Sequence, residues 1–173
     1  NTNLAEMKYS DYPRSWNITT LEDTATIATG STPSTSNPKN YGDAFAFVSP
    51  ADIDESKYVE RTEKKLSDSG FALSRKFPKD SILFTCIGST IGKCAMAPTE
   101  LTSNQQINAV LPNTTYDSSF LYYQLSYLSP QIKAQAGEQA VPIVNKSQFG
   151  QTGVALPPLP EQRAIAEALS DVD

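Results

Sequence analysis

The chain contains no histidine. Imidazole is the usual general base near neutral pH and the commonest metal ligand. Serine-histidine triads, cysteine-histidine dyads and histidine metal sites are therefore excluded, while carboxylates, lysine and tyrosine keep a narrower catalytic repertoire open. Cysteine is nearly absent too. Cys86 and Cys94 cannot build a disulfide framework. Asn1 to Ser10 lacks the basic and then apolar stretch of a secretory signal, so the two thiols read as reduced and partly buried in a cytoplasm. That opening segment has no initiator Met, which sets the expectation of an excerpt from a longer chain. No apolar run approaches the roughly 18 residues of a membrane span.

Positive charge is in deficit. A net charge of −5 argues against a nucleic-acid partner, because phosphate contacts dominate such binding. The distribution changes the argument. Residues 57–93 carry eight cations, Lys57, Arg61, Lys64, Lys65, Arg75, Lys76, Lys79 and Lys93, against Glu60, Glu63, Asp68 and Asp80, a local balance of +4, whereas the flanks carry −5 and −4. One basic stretch in an acidic chain is the pattern a single DNA-facing surface leaves, although a charge run is also the ordinary signature of a solvated face.

What is present suffices for one domain. An apolar share of 39% and an aromatic share of 9% over 173 residues exceed those of disordered chains, and folding at this size removes about 70% of the unfolded surface from water. Trp16, Ile18 and Leu21 precede a β-branched stretch, Thr24 to Thr29, and then the turn-rich loop Gly30 to Pro38. Ala44 to Val48 reads as a strand ended by Ser49-Pro50. Residues 52–70 are charged and without a clean period, and are expected to form a surface helix or excursion. Ser81 to Ile87 is a nearly continuous apolar run of strand length, expected to be covered on both faces and to centre the core.

Ile107 to Leu111 suits a further strand. Asp117 stands where an N-cap belongs, ahead of Leu121, Leu125 and Leu128 on one helical face. Pro130 is expected to interrupt that helix, and Gly137 to stop its continuation. Val141 to Val144 and Gly153 to Leu156 read as short β runs separated by the polar Asn145 to Gln148. A last helix starts at the prolines before Glu161, whose carboxylate favours the positive end of the helix dipole. Its stripe of Ile165, Leu169 and Val172 reaches the last residues without a cap, so this helix is expected to continue in a parent chain.

Two motifs fail on spacing or surroundings. Gly88 to Cys94 has three residues between its glycines and a cysteine after Lys93, where a phosphate loop has four residues and then a Ser or Thr for magnesium, so a glycine turn is the plain account. Glu63-Lys64-Lys65, downstream of Asp52, loosely matches the carboxylate and lysine set of metal-dependent nucleases, but Val59 to Ser69 is almost without apolar residues and reads as a solvated face. There is no glycine fingerprint for a dinucleotide or methyl-donor cofactor.

Taken together, several segments resemble the target-recognition domain of type I restriction–modification specificity subunits over almost the whole chain. The tail Leu156-Pro157-Pro158-Leu159-Pro160-Glu161-Gln162-Arg163-Ala164-Ile165-Ala166 is the strongest of them, and looks like that family's passage from recognition domain to spacer helix. Gly30-Ser31-Thr32-Pro33, Ile87 to Gly92, Asn104 to Asn108 and Phe120 to Tyr123 support it by order and spacing. The resemblance implies an α+β fold: a single globular domain, residues 1–156, with a mixed, twisted β-sheet flanked by short helices. Residues 157–173 then begin a long C-terminal spacer helix, with Pro158, Glu161, Gln162, Ile165 and Leu169 as its partner-facing candidates.

The same resemblance implies a non-catalytic protein that lies in the major groove of double-stranded DNA and reads one half of a split site. Methyltransferase (modification) subunits would use S-adenosylmethionine, a separate restriction and translocase subunit would cut, and this chain itself would hold no cofactor and no metal. Asn and Gln can pair with adenine in the major groove. Asn104, Gln105 and Gln106 are therefore base-reading candidates, with the alternative that they tie a loop to backbone groups. The eight cations of residues 57–93 are candidate phosphate contacts, which position a duplex without reading it. The Gly30 to Pro38 loop is open to two readings, a backbone contact or a structural turn. Two rival functions stay beside the leading one: a protein-interaction scaffold acting through the proline-led helix, and a metal-dependent nuclease using Glu63.

Overall fold

Strand β5 (Ile82–Thr85) lies at the centre of the molecule and is buried along its whole length. In the computed structural model, which describes residues 11–173, Ile82 and Phe84 enter one apolar cluster and Leu83 another. This alternation explains the continuous apolar run: a strand packed on both faces has no solvent side on which to place polar residues. The expected strand at 81–87 is thus found, slightly shortened. The ten opening residues, with the reading of their signal-free pattern, lie outside the described residues.

Among the described residues the strands form three small sheets. Strand β5 sits between β6 (Cys94–Met96) and β8 (Ile107–Val110), both antiparallel, and β2 (Ile27–Thr29) extends the sheet beyond β8. Strand β1 (Asn17–Thr20) pairs antiparallel with β9 (Gly153–Leu156). The third sheet is mixed: β3 (Tyr41–Val48) runs antiparallel to β4 (Lys64–Leu66) and parallel to β7 (Thr102–Ser103). The mixed α and β architecture expected from the sequence is the one observed.

Helices α1 (Leu21–Thr24), α3 (Ser118–Ala134), α4 (Lys146–Gly150) and α5 (Leu159–Ser170) contribute buried residues to the larger cluster, with Leu21, Leu121, Leu125, Phe149 and Ala166 in it. Full burial of a Leu or Phe side chain contributes roughly 1.5–3 kcal/mol, so this cluster dominates stability. On the other face of the four-stranded sheet, Leu83, Ala95, Ile107 and Ala109 meet Val48, Ile53, Val59, Phe77 and Leu101. Helix α2 (Asp68–Leu73) closes a third cluster against β3 and β4, where Phe45 and Phe71 stack with centroids 3.7 Å apart.

Three local expectations are corrected, and one that stood open between helix and excursion is decided. Residues 52–70 are mainly an excursion with little helix before α2. Its path is set by long-range backbone bonds, Val59 N–H to the Met96 carbonyl at 3.1 Å and Met96 N–H to the Lys57 carbonyl at 2.7 Å. Pro130 does not interrupt α3, which runs through it. The proline is exposed, while Leu128 and Ile132 on either side are buried, so core packing outweighs the one backbone donor it lacks. Val141 to Val144 is no strand, being held by a single bridge between Ile143 and Ile87. The polar Asn145 to Gln148 stretch is the start of α4, where Asn145 and Gln148 close a reciprocal capping box. Gly137 does adopt the left-handed conformation, φ +73°, just past the end of α3.

Candidate nucleic-acid interface

The mixed sheet, with the loops at its ends, gathers most of the residues singled out from sequence. The turn Asn104-Gln105-Gln106 joins β7 to β8. Asn104 builds it twice: its N–H donates to the Val48 carbonyl at 3.0 Å, and its Oδ1 accepts from Gln106 N–H at 3.0 Å. The Gly30 to Pro38 loop is laid against this turn by Gly30 N–H to the Ile107 carbonyl and Ser31 N–H to the Ser103 carbonyl, each 3.0 Å. The approach is close enough to require glycine, since a Cβ on Gly30 would lie 2.1 Å from the Asn104 carbonyl oxygen. On its outer side the loop is fastened by Tyr41 Oη donating to the Pro33 carbonyl at 2.8 Å and Asn40 Nδ2 to the Ser34 carbonyl at 3.1 Å.

The three amide candidates separate. Gln106 is half-buried, and its Nε2 donates to the Ile87 carbonyl at 3.2 Å while its Oε1 accepts from Asn104 Nδ2 at 3.1 Å. Both ends of this side chain brace the 104–106 turn against the glycine turn that follows β5. Asn104, also half-buried, lines a cleft of about 240 Å³ with Thr32, Phe47, Ser49, Asp52, Glu63 and Lys64. Gln105 is exposed, and its Oε1 accepts from Thr32 Oγ1 at 2.5 Å.

The cations divide as well. Lys64 and Lys65 are exposed on β4 and line a groove with Thr35, Tyr41 and Gly42. Arg75 is a strut: its N–H donates to Ser31 Oγ at 3.1 Å and its guanidinium donates to the Thr29 carbonyl. Lys76 lies over the Phe71 ring, 5.0 Å from its centroid. Lys79 is exposed in the turn that carries the chain into β5. Arg61 lines an acidic hollow with Asp54, Glu60 and Glu63. The Ser56 backbone N–H chiefly holds the Asp54 carboxyl below its ordinary value, with Arg61 as a lesser contributor. Lys93 donates to the Pro50 carbonyl at 3.3 Å. Lys57 lies beside the end of α5, where Nζ donates to Ser170 Oγ at 2.9 Å and sits 4.9 Å from the Tyr123 ring centroid.

The residues of the proline-led helix fall on different sides. Gln162 is buried, Ile165 packs on the main cluster from a partly buried position, and Leu169 is 39% exposed. Pro158 is exposed at the N-cap of α5, and Glu161 Oε1 accepts from Trp16 Nε1 at 3.2 Å. Asp52, the upstream acid of the nuclease reading, is committed to its own loop: Oδ2 accepts from Ser49 N–H at 2.8 Å and Oδ1 from Glu63 N–H at 2.9 Å. Among the described residues no three His, Cys, Asp or Glu side chains converge as a metal site, and no helix is long and apolar enough to cross a membrane. Sequence reasoning missed Thr32 and Ser31 as individual participants. Their hydroxyls were visible in the loop, but their partners stand more than forty residues away in sequence.

A family model described as the type I restriction modification DNA specificity domain matches residues 13–173. The chain belongs to this family. Similar curated proteins include the type I restriction enzyme MjaIX specificity subunit of Methanocaldococcus jannaschii, 29% identical over 99% of this chain and 41% of that protein. The HindI specificity subunit of Haemophilus influenzae is 31% identical over 84% of this chain and 32% of that protein. The chain thus spans about two-fifths or less of these relatives. Among solved structures, one described as the basis of complex assembly and conformational transition of the type I R-M system superposes with a TM-score of 0.77 over 96% of this chain and 40% of that one, at 21% identity. The HsdS subunit from Thermoanaerobacter tengcongensis gives 0.71 over 98% of this chain and 41% of that one, also at 21% identity. These two likenesses establish the fold.

Proposed function

We propose that this chain is the DNA-reading domain of a type I specificity subunit: it recognises one half of a bipartite site on double-stranded DNA and performs no bond-breaking step itself. In this reading α5 leads into a spacer helix, and the assembled subunit directs modification subunits, which bind S-adenosylmethionine, and a restriction and translocase subunit. No cofactor is assigned to this chain. Family membership supports the class of function. The observation that carries it to particular residues is the packing of the Gly30 to Pro38 loop on the 104–106 turn, which holds an exposed amide, Gln105, on Thr32, a residue that lines one cleft with Asn104 and Lys64 of β4. Exposed lysines there contact phosphates and set register, and an exposed amide reads a base edge.

The test is a mobility shift with the full-length specificity subunit and its modification subunits on matched panels of duplexes at fixed salt. Binding that favours one bipartite sequence by several orders of magnitude over random duplex is expected; equal binding to all duplexes would overturn the proposal. The non-catalytic part has its own test. Cleavage of DNA by the purified chain with magnesium, abolished by Glu63→Ala, would make it a nuclease instead.

A further inference from the structure

We infer that Thr32 is a positioning residue for base recognition, holding Gln105 so that its amide nitrogen faces DNA and selects adenine at one position of the target. The inference rests on the DNA-reading function proposed above and adds which side chain reads, which one aims it, and what base chemistry the pair accepts.

Of the three neighbouring amides, Asn104 and Gln106 spend side-chain atoms on the turn they build. Gln105 is exposed, and its one bond among the described residues goes to another exposed side chain, Thr32, across 73 residues of sequence. A surface contact of this kind contributes little to stability, yet both loops beneath it are fixed. Backbone bonds tie Gly30 to Ile107 and Ser31 to Ser103, and Arg75 holds Ser31 Oγ from the other side. The pair therefore occupies a rigid base, the condition under which a polar side chain discriminates between ligands instead of adapting to them.

The orientation follows from the partner. The Thr32 hydroxyl donates to the side-chain oxygen of Gln105. That oxygen therefore faces Thr32, and the NH₂ group is the end left for DNA. An outward NH₂ donates to an acceptor on a base edge, and the second lone pair of the carbonyl oxygen remains able to accept. One donor beside one acceptor matches adenine N7 and N6–H₂ in the major groove; guanine presents two acceptors there and no donor.

Selection of duplexes from a randomised library by the assembled full-length complex gives the base preference at each position. Gln105→Ala is expected to lower the preference for adenine at one position by about 5- to 150-fold, the range for loss of a bidentate base contact. Thr32→Val should lower it at that same position, with Thr32→Ser restoring it, and affinity for random duplex unchanged in all three. Replacing that adenine by 7-deazaadenine, which lacks the N7 acceptor, should weaken binding by the parent complex but not by Gln105→Ala. Unchanged preferences in either Gln105→Ala or Thr32→Val, while the parent complex still selects its site, would overturn the inference and leave the proposed function standing. A Thr32→Val loss spread over all positions and not rescued by Thr32→Ser would also overturn it, as the mark of a displaced loop. A parent complex that selects no sequence would bring down the function itself.

Discussion

Gln162 Oε1 accepts from the backbone N–H of Asp117 at 2.9 Å, while Nε2 of the same side chain donates to the Pro157 carbonyl at 2.9 Å. One buried amide thereby joins the first turn of α5 to the N-cap of α3, where Asp117 Oδ1 in turn accepts from Phe120 N–H at 2.9 Å. The motif residue at the start of the last helix is thus internal, and what it secures is the angle at which α5 packs against α3. Removing it strands a partly buried donor and a buried acceptor together. Gln162→Ala is expected to destabilise the chain by about 2–4 kcal/mol, since each unmade buried bond costs about 1–3 kcal/mol. Urea unfolding followed by circular dichroism measures this, and a loss below 1 kcal/mol would show that water replaces the amide.

Gly30 offers a test of the loop clamp. An alanine there must displace the Asn104 carbonyl or its own backbone, because 2.1 Å is far inside any carbon–oxygen contact. Overpacking of this kind costs about 1–3 kcal/mol. Gly30→Ala should therefore lower the unfolding midpoint and, through the displaced 104–106 turn, also lower preference for the specific site in duplex selection. Retained stability and retained preference together would mean that the loop is not seated on the turn.

How far the sequence revealed this arrangement depends on how local each determinant is. Strand β5, the Asp117 cap and β9 were legible because an apolar run, a cap or a pair of prolines is written in neighbouring residues. Helix α4 was equally local, in the capping pair Asn145 and Gln148, but only Phe149 followed as an apolar anchor, so the polar stretch read as a separator. The path of residues 52–63 was illegible for a different reason: it is set by Asp52 bonding across its own loop and by pairing with Met96, some 37 residues beyond Val59. In the candidate site, the residue types and the basic stretch were legible. Which amide keeps an exposed NH₂ group, and which lysine is tied down, depends on partners that no local pattern contains.

The thiols give a pH dependence. Burial pushes Cys86 up to about 11 and Cys94 up to about 12, against about 8.5 in an unfolded chain. Because the folded values are raised, their stabilising contribution is fully present below about pH 8.5. Between that pH and about 11 the unfolded chain has lost a proton that folded Cys86 keeps, so stability falls as pH rises. The buried Cys86 accounts for roughly 2–3 kcal/mol of this loss by linkage. Denaturant midpoints at pH 8.5 and 10 should diverge in the parent chain, diverge about half as far in Cys86→Ala, and nearly converge in the double change Cys86→Ala, Cys94→Ala. An equally steep decline in that variant would place the titrating group elsewhere.

Lys57 and the lysines of β4 belong to one basic stretch of sequence but to different places in the fold, and salt dependence separates them. Lys64 and Lys65 are exposed on β4, and Lys64 lines the cleft that Asn104 and Thr32 also line. If each meets one phosphate, the double change Lys64→Ala, Lys65→Ala should flatten the plot of log affinity against log salt by about 1.8, with specific and random duplex weakened alike. Lys57 instead lies between the Tyr58 and Tyr123 rings and donates to Ser170 near the C-terminal end of α5, where a cation also meets the negative end of the helix dipole. Lys57→Ala should leave the salt slope unchanged. Its effect should appear in faster amide exchange over the last turn of α5, because the bond to Ser170 and the ring contact are both lost. A slope that falls by about 0.9 in Lys57→Ala, with no change in exchange, would return this lysine to the DNA-facing surface and extend that surface to the start of the last helix.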